Sequence, residues 1–134
     1  MLNNFLMMKV ARNTIAKSKI LEYVQNSNEA VAHSDIQQSL KGVCDRVTIY
    51  RVLDRLLSEG LVHKIVDIDG VVKYAACHTC EDEHHHHHNH IHFSCEKCKK
   101  VTCLDAIMPQ FILPKDYKLN SVNFTVSGFC PQCK

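Results

Sequence analysis

Two pairs of cysteines constrain this chain more than any other feature. Cys95 and Cys98 form the first pair, and Cys130 and Cys133 form the second. Two residues between the sulfurs let one tight turn present both thiolates to one ion, and two such turns complete the tetrahedral four-sulfur site typical of structural zinc. All four positions are then filled, which leaves no open position for catalysis. A thiol–disulfide active site is the alternative, but no helix follows either pair.

The chain contains eight cysteines and ten histidines in 134 residues, and whether the cysteines form disulfides or bind metal depends on the compartment of the protein. No apolar run approaches the roughly 18 residues that a membrane span needs. An apolar patch at residues 5–8 has no basic residue before it and no small-residue cleavage site after it. We therefore expect no secretory signal and a cytoplasmic protein, in which cysteines beside histidines are metal ligands before they are disulfides.

The first half of the chain has the pattern of three helices. Apolar residues recur every four positions over roughly 13–27, which predicts the first helix. Ser34 followed by Gln37 is a capping-box pattern that opens a short second helix. Asp45 is placed to cap a third helix, which Gly60 ends.

A hairpin is predicted after the third helix. Leu61–Ile68 and Val71–Ala76 are rich in β-branched residues and flank the turn dipeptide Asp69-Gly70. Three helices followed by a two-stranded hairpin is the element order of a winged helix. Residues 1–64 carry a net charge of +3 and residues 65–134 carry −1, so the basic excess lies on this half, as expected for a nucleic-acid partner.

The third helix carries the candidate DNA-reading face. Arg can donate a fork of hydrogen bonds to guanine or phosphate, and Thr can contact a thymine methyl group or a phosphate. A solvated face on a structural helix is the alternative, but the preceding helix and the following wing favour DNA binding. Arg12, just before the first predicted helix, is placed to reach a minor groove. The candidate DNA-binding residues are Arg12, Arg46, Thr48, Tyr50 and Arg51.

The second half is predicted to contain three short strands, at Ile91–Ser94, Lys100–Leu104 and Asn120–Phe129. The last of these alternates apolar and polar residues, a half-buried pattern. Pro109 and Pro114 argue against a long helix before it.

A second metal site is predicted from the remaining histidines and cysteines. In an extended segment His90 and His92 point to one side, and Cys103 on the next strand is placed to face them. His63 begins the wing and Cys77 ends it, so a metal here would lie between the two halves of the chain. Pairing of Cys77 and Cys80 with another cysteine pair is an alternative, as is weak metal collection by the His84–His88 loop. Imidazole and thiol donors together suit zinc.

Four segments follow one another along the chain, at Asp45–Leu53, Glu59–Lys64, His90–Cys98 and Gly128–Cys133. Together they resemble the Fur family of metal-dependent transcriptional repressors. The resemblance implies an α+β homodimer with an N-terminal winged helix-turn-helix domain, residues 1–77. A small α/β dimerisation domain with the four-Cys zinc site, residues 78–134, would follow.

The resemblance also implies roles for individual residues. Thr48, Tyr50 and Arg51 would meet double-stranded DNA, with Arg12 as an accessory contact. The structural zinc carries over to the four paired cysteines. The regulatory metal carries over to His90 and His92, with Cys103 where many members have a carboxylate. His63 and Cys77 are similar to ligands of the zinc-sensing branch.

The chain departs from the family pattern at several positions. Lys99 stands where a Gly commonly follows the first cysteine pair, and Ala75 stands where iron and peroxide sensors often have a carboxylate. The stretch between Cys98 and Cys130 is short and interrupted by prolines, so the dimer would rest mainly on its sheet.

The expected function is repression of metal-uptake genes with zinc as co-repressor, and not enzymatic catalysis. An iron or peroxide sensor of the same family, with Fe²⁺ in the second site, is one alternative. A metal-storage or delivery protein that uses the His-rich loop is another. A zinc hydrolase would need an open zinc position and a nearby Glu base, and the carboxylates near the His row lie only in the loop 81–83.

Overall fold

The computed structural model describes residues 3–76, 90–104, 107, 109–120 and 122–134, with the backbone alone for residues 3–13. Within these ranges the chain forms three helices and six strands, and the strands make two three-stranded sheets. The predicted α+β class is confirmed. No helix in the described part of the chain is both long and apolar enough to cross a bilayer.

The three predicted helices are present. They are α1 (Asn3–Asn26), α2 (His33–Ser39) and α3 (Arg46–Ser58). Helix α3 begins after Asp45, whose Oδ1 accepts a hydrogen bond of 2.8 Å from the Thr48 amide, as predicted.

Two predictions about helix starts were wrong. Helix α1 begins ten residues before the apolar repeat, because residues 3–12 contain no Pro or Gly to stop it. Arg12 therefore lies within α1 and not before it. At α2 the N-cap is Ala32 and not Ser34, because Asp35 and not Gln37 reaches back, its Oδ2 accepting from the Ala32 amide at 2.9 Å.

The predicted hairpin forms the wing. Strands β2 (Val62–Val66) and β3 (Val72–Ala76) pair antiparallel, and a short strand β1 (Val31–Ala32), which we did not predict, adds to the other side of β3. Gly70 takes a positive φ of 81° in the turn. The Asp67 carboxylate accepts from the Asp69 and Val71 amides at 2.9 and 2.8 Å.

The main core joins the helices to one face of the wing. Helix α3 contributes the largest buried set, and α1 and α2 pack against it. Five side chains of the main core are 0% exposed, namely Ile20, Ile36, Ile49, Leu53 and Leu56.

The second sheet consists of β4 (Ile91–Cys95), β5 (Val101–Leu104) and β6 (Phe124–Gly128), in the order β5-β4-β6. Strand β4 pairs antiparallel with β5 and parallel with β6. The described residues between 107 and 120 form no helix or strand, as the two prolines predicted. The half-buried pattern predicted for β6 holds for Phe124 but not for Val126, which is 45% exposed.

A small apolar cluster joins the two sheets. Ala30, Ile65 and Ala75 from the winged half pack on Val101 of β5, and the Ala30 amide donates to the Val101 carbonyl at 2.8 Å. At the wing turn, the Lys99 ammonium lies 3.3 Å from the Asp69 carboxylate. These contacts fix the wing against the second sheet.

Candidate metal centres and nucleic-acid interface

The four paired cysteines meet at one edge of the second sheet. Cys95 is the last residue of β4, and Cys130 follows β6. Because β4 and β6 are parallel, both strands end at the same edge, and the turns after them lie side by side. One ligand atom from each of the four cysteines lies within 4.8 Å of the others.

The chemistry of this group fits a cation. Backbone amides, first that of Cys130 at 3.4 Å, lower the pKa of Cys95 to about 6. The pKa of Cys133 rises to about 12, chiefly because its thiol hydrogen-bonds to the Cys130 sulfur and loses solvent. Four sulfurs this close cannot all carry negative charge unless a cation offsets it. Zinc is the ion that a tetrahedral set of four thiolates suits.

A second group of possible ligands lies between the two sheets. It contains His63 from β2, His90 just before β4, His92 from β4 and Cys103 from β5. One donor atom from each lies within 4.8 Å of the others. His63 Nε2 lies 3.0 Å from His92 Nε2 and 3.5 Å from the Cys103 sulfur. We call these four residues the inter-sheet cluster.

Burial makes the inter-sheet cluster a fit for a metal. His63, His90 and His92 are 6, 8 and 3% exposed, and their ring centroids are 4.5–5.1 Å apart. Three imidazoles and a thiol supply the N/S donors that zinc accepts. The register that aligns His92 with Cys103 places the thiol on the imidazole side of the sheet.

Four of the five predicted regulatory ligands are thus brought together, as are all four predicted structural ligands. Cys77, the fifth, lies outside the described residues, as do Cys80 and His84–His88. Cys44 is half-buried beside the main core and belongs to neither metal-ligand group.

The predicted DNA-reading residues lie at the start of α3. Arg46, Tyr50 and Arg51 are exposed, while Thr48 is half-buried. The Arg46 guanidinium lies 5.7 Å from the Tyr50 ring centroid. The side chain of Arg12 is outside the described part of the structure.

Two features of this surface were not predicted. The His33 ring stacks on Tyr50 with centroids 3.9 Å apart, and its Nε2 lies 3.2 Å from the Arg46 carbonyl oxygen, to which it donates. Beside this stack is a cleft of about 310 Å³ between α3 and the wing, lined in part by Lys64 and Val72. Both features depend on tertiary packing, and no sequence spacing indicates them.

The fold is shared with solved regulators of metal uptake. A zinc uptake regulator complexed with zinc and DNA superposes with a TM-score of 0.64, at 22% identity over 87% of this chain and 79% of that one. Holo XcZur gives 0.59 at 18% identity, over 87% and 82% of the two chains. The ferric uptake regulator of Helicobacter pylori gives 0.58 at 18% identity, over 96% and 88%.

Sequence comparison identifies the family. No curated protein sequence matches the chain. The model of the ferric uptake regulator family matches residues 9–125, which include most of the winged half, the inter-sheet cluster and the first cysteine pair. This chain therefore belongs to the ferric uptake regulator family.

Proposed function

We propose that this protein is a dimeric, zinc-responsive repressor that binds double-stranded DNA and controls metal-uptake genes. The inter-sheet cluster is the observation that supports this most strongly. It joins a strand of the wing to two strands of the second sheet. A metal held there would link the DNA-reading half to the other half of the chain.

The donor set favours zinc over iron as the regulatory metal. The cluster offers three imidazoles and one thiol, and among the described residues it contains no carboxylate. Sulfur and nitrogen donors suit zinc, whereas oxygen-rich sites suit harder ions. At position 75, where iron and peroxide sensors often have a carboxylate, this chain has a buried alanine. Solved zinc and ferric uptake regulators share this fold, so the choice of zinc rests on the donor set.

The two metal groups have different roles in this proposal. Cys95, Cys98, Cys130 and Cys133 would hold a permanent zinc that ties the chain end to the second sheet. His63, His90, His92 and Cys103, with Cys77, would hold an exchangeable zinc. Zinc can shift the chain toward the DNA-binding arrangement of its two halves only by the difference in its affinity for that arrangement and for the others.

The DNA surface is the outer face of α3. Its exposed arginines and Tyr50 supply donors for base edges and phosphates. In a dimer two such helices must match half-sites about one DNA turn apart, so the angle between the halves of each chain controls affinity. Apolar side chains exposed between Ile107 and Phe129 supply the surface that a second copy would cover.

Replacement of Arg51 by Ala tests the DNA surface. A duplex is first enriched from a random DNA pool with the zinc-loaded protein, and its affinity is then measured at fixed salt. Arg51→Ala should weaken specific binding by about tenfold to a hundredfold, because a base-contacting fork is lost.

Lys134→Ala is the matched control, since it removes the same charge from an exposed position in the second half, outside the apolar surface between Ile107 and Phe129. It should leave specific binding within about twofold, and both variants should keep their zinc. Equal binding by Arg51→Ala and wild type would exclude α3 as the reading helix.

A further inference from the structure

The first turn of α3 carries an apolar patch where a DNA-reading surface is otherwise polar and basic. Val47 is 55% exposed and Tyr50 is 43% exposed, while Val43, just before the helix, is 43% exposed. None of the three belongs to a core cluster. Arg46 and Arg51 flank the patch. An apolar centre with a basic rim is complementary to a methyl-bearing base edge between phosphates.

Helix geometry places Val47 at the outermost point of this surface. Each residue turns the helix by about 100°, so Val47 projects opposite to Ile49, which is fully buried. Arg51 follows one turn later on the same ridge. The first turn of a recognition helix is the part that contacts base edges. Val47 would therefore enter the major groove most deeply.

The neighbours of Val47 are held in place. His33 stacks on Tyr50 at 3.9 Å and hydrogen-bonds to the Arg46 carbonyl at 3.2 Å. The stack turns the Tyr50 ring toward the cleft beside the wing, lined also by Lys64 and Val72. Val47 has no such contact and presents its two methyl groups to the outside.

We propose that Val47 determines operator specificity by packing against the C5-methyl group of a thymine. This inference rests on the proposed function, because it requires α3 to enter the major groove. In the major groove the C5-methyl group is the apolar feature that distinguishes thymine from the other bases. A β-branched side chain with few rotamers offers it a fixed apolar surface.

A double-mutant cycle between protein and DNA tests this contact. Wild type and Val47→Ala are measured on the enriched duplex and on duplexes in which one thymine at a time becomes deoxyuridine, which removes only the methyl group. At one thymine in each half-site, the wild type should lose about fourfold in affinity, the scale of one buried methyl group. Val47→Ala should bind the thymine and deoxyuridine duplexes equally at that position.

Val66→Ala is the control, since it removes a similarly exposed valine side chain from β2 and not from the patch. It should keep the wild-type discrimination, and thermal unfolding should show that both variants fold. Discrimination by Val47→Ala equal to that of wild type at every thymine would overturn this inference alone. Failure to enrich any duplex would overturn the proposed function as well.

Discussion

At the level of single residues, one sulfur atom distinguishes the inter-sheet cluster from an all-imidazole site. Cys103 lies 3.5 Å from His63 Nε2 and stands on the strand next to His92. A thiolate is a soft ligand and supplies a negative charge, which an imidazole ligand does not. The affinity of this group for zinc should therefore depend strongly on Cys103.

Cys103→Ser should lower the affinity for the exchangeable zinc by about tenfold or more, while the four-cysteine zinc stays bound. Competition with a chelator of known affinity measures both zinc ions. Cys44→Ser is the matched control, because Cys44 is outside both ligand groups. A uniform loss of both metals in Cys103→Ser would instead point to unfolding.

Individual residues also show the limits of sequence reasoning. The cysteine pairs were predictable because two-residue spacing acts locally. The inter-sheet cluster was predicted from strand alternation and from the family resemblance, and the structure brings together every predicted member that it describes. The His33–Tyr50 stack and the Lys99–Asp69 ion pair join residues distant in sequence, so no local pattern could indicate them.

At the element scale, helix α3 depends on its first hydrogen bond. Asp45 accepts from the Thr48 amide at 2.8 Å, and hydrogen bonds from the Thr48 side chain and then its amide lower the pKa of Asp45. A carboxyl with a lower pKa when folded than when unfolded stabilises the fold above its unfolded pKa. That contribution is lost as the pH falls through the folded pKa.

Asp45→Asn keeps a capping side chain but removes its titration. At neutral pH the variant should unfold at a slightly lower temperature than the wild type, because it lacks the negative charge at the helix N-terminus. This difference should begin to shrink as the pH falls toward about 4, the ordinary pKa of an Asp carboxyl, and should be lost once the pH is below the lowered pKa of folded Asp45. Thermal unfolding followed by circular dichroism across this range measures it, and a pH-independent difference would contradict the ionised cap.

Elements with a clear local pattern were predictable, and those made by distant pairing were not. Apolar spacing and caps identified α3 and the hairpin, and the two prolines excluded a helix before β6. Strand β1 has only two residues and exists because Val31 pairs with Tyr74, far along the chain. The start of α1 was placed too late, because its first residues add no apolar stripe to the pattern.

At the scale of the whole molecule, the apolar side chains of the second half are the main unexplained surface of a single chain. Ile112 is 98% exposed, and Tyr117, Leu119 and Phe129 are more than half exposed. A single chain in water would leave this area uncovered, which favours association with a second copy. The proposed dimer can be tested by measuring the mass of the particle in solution.

Ile112→Asp should dissociate the dimer or weaken it by at least about tenfold, because a charge would enter a dry interface. Sedimentation equilibrium gives the mass directly. Ile68→Asp is the control, since Ile68 is exposed on the wing instead. Dimers of equal stability in both variants would show that another surface joins the chains.

If the inter-sheet cluster is a metal switch, the loss of its zinc must abolish specific DNA binding, and native mass spectrometry during graded chelation measures that loss. Zinc per chain and specific DNA affinity are measured in the same samples. One zinc should resist chelation and a second should leave first, and DNA affinity should fall as the second zinc leaves and return when it is restored. Full DNA affinity in chains that retain only the resistant zinc would show that the inter-sheet cluster is not a switch.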